Sequence, residues 1–183
     1  GKSLDECLIS DTSCKANCQC DTGIHGQTCS MTDAQVQERK NIRTTLLQSV
    51  KQTFGGKNSS ATELVNTVAT MTIIASISEE ISVEGSYIIT EILQSVLTQA
   101  LLQSEVSAED LRGSLDIIDT VATVANTGEE IETQIHMLDA YLSLLKRDAV
   151  IGDSYTYSLN NFDVGLQVYG GSSASSPSSS DSD

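Results

Sequence analysis

The sequence predicts a mainly α-helical protein: a small disulfide-stapled module, a bundle of about five antiparallel helices, one or two β-strands and a low-complexity tail. Three observations carry this. All five cysteines, Cys7, Cys14, Cys18, Cys20 and Cys29, cluster at the start of the chain. Aliphatic residues then recur at the three-and-four spacing of amphipathic helices as far as Lys146 and Arg147. A single Pro and no Trp in 183 residues leave the helices uninterrupted and the core aliphatic. The expected boundaries are 1–30 for the module, 31–150 for the bundle, 151–169 for the strands and 170–183 for the tail.

The formal charge of -15 argues against nucleic acid or an anionic membrane surface as partner, since both need clustered Lys and Arg. Arg39, Lys40 and Arg43 beside Glu38 read as a solvated helix face. Cysteines confined to one end place the chain in a secretory or extracellular compartment. With neither initiator Met nor signal peptide, it is expected to be a mature or excised segment of a longer protein.

Residues 18 to 29 read Cys-Gln-Cys-Asp-Thr-Gly-Ile-His-Gly-Gln-Thr-Cys. This pattern, with Gly23 and Gly26 between the cysteines, resembles the C-terminal half of an EGF-like module. A stapled hairpin of that kind needs Gly at its tight turns and has no hydrophobic core of its own. The resemblance implies a Cys20–Cys29 disulfide. An EGF-like module has six cysteines; if the first lies before residue 1, the resemblance pairs Cys7 with Cys18 and Cys14 with a cysteine upstream. The tripeptide Asp5-Glu6-Cys7 instead resembles the start of a calcium-binding EGF module, but Ser3 stands where such modules carry an acidic ligand and the later spacing fails. Zinc on Cys18, Cys20 and His25 is the weaker cysteine reading.

Each helix announces its own start. Thr32-Asp-Ala-Gln35 has the form of a capping box and predicts a helix to about Phe54, burying Val36, Ile42, Leu46, Leu47 and Val50 and ended by Gly55-Gly56. Ser60-Ala-Thr-Glu63 opens a second, with Leu64, Val65, Val68, Met71 and Ala75 inward. Ser82 opens the third, whose stretch Ile88 to Leu102 is the most apolar in the chain and reads as the central helix. It buries Ile88, Ile89, Ile92, Leu93, Val96, Leu97, Ala100 and Leu101, but its polar interruptions exclude a membrane span. Ser107-Ala-Glu-Asp110 opens a fourth with Leu111, Leu115, Ile118, Ala122 and Ala125. Thr127-Gly-Glu-Glu130 opens a fifth with Ile131, Ile135, Leu138, Leu142 and Leu145. Short connections make successive helices antiparallel, and the unequal spacing of the starts argues against a solenoid.

Asn58-Ser59-Ser60 is a sequon in a polar loop, so Asn58 is a candidate N-glycosylation site. Beyond Arg147 the period switches to two. Tyr155, Tyr157 and Leu159 alternate with polar residues, and Phe162, Val164, Leu166 and Val168 do so after Asn160-Asn161. An isolated hairpin is unstable, so this strand must pack on the bundle or pair with a sheet of another chain or of a continuation of this one. Phe162, Val164, Leu166 and Val168 are therefore the candidate partner-binding strand. Gly170 to Asp183 has the composition of a linker or a glycosylated stalk.

An EGF-like module, a helical block and then strands in this order resemble the ectodomains of polycystin-type and adhesion-receptor proteins. In those families the helical half of a GAIN region, after a receptor-for-egg-jelly segment, leads into a β-sandwich. Their self-cleavage site lies at the end of that sandwich and cannot be carried over to this chain.

No catalytic constellation stands out. His25 falls in the cysteine loop, His136 reads as a partly exposed helix residue, and Glu79-Glu80 and Glu129-Glu130 as signals of helix starts. No Gly-x-Ser-x-Gly elbow is present, and the helical part holds no phosphate loop, nucleotide motif or His-Cys metal constellation, so no enzyme activity and no cofactor are expected. The expected role is that of a segment of an extracellular structural or adhesive glycoprotein. It would act through other protein chains, by self-assembly or in a larger complex such as a cell-surface or ciliary filament, and carry glycans. The alternative is a fragment of a receptor ectodomain with a signalling role.

Overall fold

The computed structural model describes residues 20–26, 28–55, 58–124 and 128–169. It is mainly helical, with two small antiparallel strand pairs. The described residues open with a hairpin of β1 (Ile24–His25) and β2 (Met31–Thr32), in which Ile24 lies opposite Thr32 and His25 opposite Met31. Gly23 and Gly26 hold φ of 81° and 88°, a region L-side chains avoid, and the hairpin turns there. A Cys20–Cys29 disulfide closes it, with the Cα atoms 5.2 Å apart. Cys7, Cys14 and Cys18, and with them the Cys7–Cys18 pairing, lie outside the described residues.

Five helices follow: α1 (Asp33–Thr53), α2 (Ala61–Ala75), α3 (Val83–Leu101), α4 (Gly113–Val124) and α5 (Gly128–Asp148). A short 3-10 turn, Ser78–Glu80, connects α2 to α3. The capping boxes of Thr32 with Gln35 and of Ser60 with Glu63 are both closed, and the Ser82 hydroxyl accepts the Gly85 N–H at 2.9 Å. Thr127, the expected cap of α5, lies outside the described residues.

Three details differ from the sequence reading. Ser107 and Asp110 do form a reciprocal pair, at 3.0 and 3.1 Å, but the turn they cap is tight, with Leu111 bonded to Ala108 and Arg112 to Glu109. The regular helix therefore starts at Gly113, five residues later than the box implied. In α5 the inward stripe is Gln134, Met137, Tyr141, Leu144 and Leu145, whereas Ile131 and Ile135 are 52 % and 59 % exposed. Two aliphatic stripes overlap on this helix, and the one with the fully buried Tyr141 faces the core, its hydroxyl donating to the Ala108 carbonyl at 3.2 Å. Likewise Ile42 and Leu46 of α1 are about half exposed, because this outer helix packs by a narrow stripe of Val36, Thr44 and Leu47.

Cross-helix contacts give the directions. Thr44 meets Ser82 and Lys51 meets Glu91, so α1 runs parallel to α3. Arg147 near the end of α5 reaches Ala100 near the end of α3, so these two are parallel as well. Arg43 of α1 reaches the last turn of α2, and Gln103, just past α3, reaches Ser59, just before α2. Successive helices thus alternate in direction. Helix α3 touches all four others, and its Ile88, Ile89, Ile92, Leu93, Val96, Leu97 and Ala100 are buried at the centre. Only Leu101 of its expected face emerges, at 37 % exposure.

After α5, strands β3 (Ser154–Ser158) and β4 (Asp163–Gln167) pair antiparallel, with Thr156 opposite Gly165. Their apolar side chains complete the core: Val164 is buried, and Tyr155, Tyr157, Leu159, Phe162 and Leu166 pack half-buried against the helical cluster.

Candidate functional site

The expected site residues fall at three places: the stapled hairpin, the α1–α2 loop and the C-terminal hairpin. Each is built from local chemistry.

The stapled hairpin joins the bundle without a spacer, because Thr32 is both the last residue of β2 and the N-cap of α1. The Gly26 N–H donates to the Glu79 carboxylate at 3.2 Å, and His25 Nε2 lies 2.5 Å from Asp33 in the first turn of α1. Beneath it, Glu80 is 2 % exposed and held by Arg39 and Arg43 at 2.7 Å each. Burial alone would raise the Glu80 pKa, but the two guanidinium groups outweigh it and hold the carboxyl below its usual range. Arg43 also caps the end of α2 through the Ile74 carbonyl. Thus Arg39 and Arg43 do not form the free solvated face their spacing suggested. Glu79 and Glu80 lie in the 3-10 turn just ahead of α3, where they also brace the stapled hairpin and α1.

Asn58 lies exposed in the α1–α2 loop with φ of 61°, a left-handed conformation that Asn tolerates better than most residues. Ser60, the third sequon residue, is engaged as the cap of α2.

The C-terminal hairpin is fixed by a buried carboxylate. Asp119 on α4, 5 % exposed, accepts the Asn160 side chain at 2.7 Å and the Asn161 backbone N–H at 2.8 Å. The Asn161 side chain adds bonds to the Asp119 carbonyl at 2.9 Å and to Thr123 at 3.0 Å. Burial opposes ionisation of Asp119, yet these donors prevail and its pKa is lowered. On the strand side, the Arg112 guanidinium sits 5.5 Å from the Tyr157 ring centroid. Burial, with Tyr157 beside it, pushes the Tyr141 hydroxyl up. Tyr155 is raised by its bond to Asp153. A polar groove of about 550 Å³ runs between the end of α2, α4 and the hairpin loop, lined in part by Thr72, Ser76, Asp116 and Ser158.

Of the expected partner-binding strand, Phe162, Val164 and Leu166 turn toward the helices and Val168 lies half-buried beyond β4. The apolar face is therefore covered by the protein's own bundle, and the backbone edge is what β4 offers outward. Leu159 bonded to Phe162 and Val168 to Asp153 set the phase of the ladder. By the alternation of antiparallel pairs, Asp163, Gly165 and Gln167 then direct N–H and C=O away from β3.

His136 is an exposed residue of α5, 3.9 Å from Glu132. Among the described residues no group of three or more His, Cys, Asp or Glu side chains could hold a metal ion. Among the same residues no helix is long and apolar enough to cross a membrane. Asp119 was not singled out from sequence, and Glu80 and Arg147 were read only as helix-end charges. The only signal Asp119 carried was a charge placed beside an aliphatic stripe, which identifies no partner. Compared with family models, curated proteins and solved structures, the chain matches none.

Proposed function

We propose that this chain is a segment of an extracellular structural or adhesive glycoprotein that works by assembling with other protein chains. The observation that carries the reading is the disulfide-closed hairpin set directly on a helical body. A stapled loop with no core of its own belongs to an oxidising compartment. In this reading Cys20–Cys29 closes the C-terminal loop of an EGF-like module, and the exposed Asn58 carries an N-linked glycan. The bundle is a body that carries two small β units, one closed by the disulfide and one packed on α4. Its role in a cell-surface or ciliary filament would follow from contacts made by those units.

Mass spectrometry of the natively isolated, unreduced protein tests this. A bridged Cys20–Cys29 peptide together with sugar on Asn58 or on the Ser-rich tail supports it. Free thiols with bare Asn58 and bare serines would overturn the compartment and with it the proposal.

A further inference from the structure

We infer that β4 is a self-pairing edge: two copies of this chain join through antiparallel β4–β4 contact centred on Gly165, giving a continuous four-stranded sheet. This rests on the assembly reading above and names its partner as a second copy.

The first observation is Gly165 itself. Glycine inside a strand costs stability, and it commonly marks a bulge or the close approach of another backbone. There is no bulge, because the β3–β4 register runs unbroken from Ser154–Gln167 to Ser158–Asp163. Its φ is not in the left-handed region, and a Cβ built there would meet nothing nearer than the Tyr155 carbonyl at 3.9 Å. Nothing within the described chain requires glycine at this position.

The second observation is that the edge is complementary to itself. Asp163, Gly165 and Gln167 all point their backbone groups outward, and their side chains are exposed on the face away from the bundle. Antiparallel pairing about Gly165 sets Gly165 against Gly165 and Asp163 against Gln167 of the other copy, twice. The Gln amide can then donate to the Asp carboxylate, a favourable cross-strand pair. Centring on Asp163 instead would oppose two carboxylates, and centring on Gln167 would leave Asp163 unpaired. A two-fold contact of this kind closes on itself, so the unit it makes is a dimer.

The experiment is sedimentation velocity of the intact disulfide-bonded chain across concentration, in enough salt to screen its charge, with two exposed-residue variants. The native chain should dimerise. Gln167→Asp puts carboxylates opposite each other at both flanking pairs and should weaken the dimer by roughly tenfold. Adding Asp163→Lys to Gln167→Asp makes both pairs opposite in charge and should restore it. Amide exchange at Asp163, Gly165 and Gln167 should slow in the dimer alone. A chain that stays monomeric throughout overturns the proposal, as does a dimer indifferent to Gln167→Asp. Slow exchange of these amides in a monomer also overturns it, because the edge would then be covered by the chain's own tail. None of these failures alters the disulfide and glycan map, so the extracellular reading stands or falls separately.

Discussion

At the residue scale the most consequential side chain is Asp119, since one carboxylate gathers donors from both Asn160 and Asn161 and so fixes a strand hairpin to a helix. Removing it would leave those donors without their acceptor in a partly buried place. Asp119→Ala is expected to cost about 3 kcal/mol, the upper range for hydrogen bonds to a charged group. Urea denaturation reads the total, and amide exchange over 154–167 should show the loss concentrated in the hairpin. The pH dependence has a fixed sign. Asp119 and Glu80 both have lowered pKa values in the folded state. The unfolded chain therefore takes up protons first, and the stability from both groups is fully present above the ordinary carboxylate range, about pH 5, and lost as pH falls through their lowered native values. Urea midpoints should be flat from pH 7 to 5 and fall steeply toward pH 3; a midpoint that held constant to pH 3 would contradict the role of both carboxylates. None of this network was legible in the sequence, because Asp119 sits in the middle of a helix and its partners lie some forty positions away.

At the element scale the sequence was far more informative, for a physical reason. An N-cap, with or without the reciprocal bond of a capping box, is closed within four residues, so Thr32, Ser60 and Ser82 declared their helices without reference to tertiary structure. The aliphatic stripe of α3 is so wide that almost any packing would bury it. In α5 two stripes of similar apolarity compete, and the choice is made by the space for Tyr141 beneath the Ala108 turn, which local spacing does not encode. In the same way the late start of α4 depends on a close approach to α2. A Cβ on Gly113 would lie 2.5 Å from the Thr72 hydroxyl and 3.3 Å from a Val68 methyl. Gly113→Ala should therefore destabilise by about 1–3 kcal/mol, although Ala is the better helix former. Thr72→Ala in the same chain should recover part of the loss, and thermal unfolding of the single and double variants measures both.

At the scale of the whole molecule, one aliphatic core runs from α1 to the C-terminal hairpin, whereas the N-terminal hairpin rests on few contacts beyond its disulfide, the Gly26–Glu79 bond and the shared Thr32. Reduction of Cys20–Cys29 should accordingly melt β1 and β2 while leaving the helices folded, at a cost near 2–3 kcal/mol for so short a loop. Circular dichroism should show helicity unchanged after reduction, while amide exchange at Ile24 and Met31 accelerates. Loss of helicity on reduction would mean that the staple supports the bundle as well.

The fusion of β2 to α1 at Thr32 also has a mechanical side. Tension applied upstream of Cys20 passes through the sulfur bridge to Cys29, bypassing the glycine turns between them, and enters the axis of α1 four residues later. There is no slack in that path: the loop is short-circuited covalently, and the chain beyond it is already strand and then helix. A pull would be felt first as a shear between α1 and its neighbours, where Arg43 and Lys51 tie it to α2 and α3. A string of such units would lengthen little under load until a helix gave way, as a stiff tether does and a coiled spring does not.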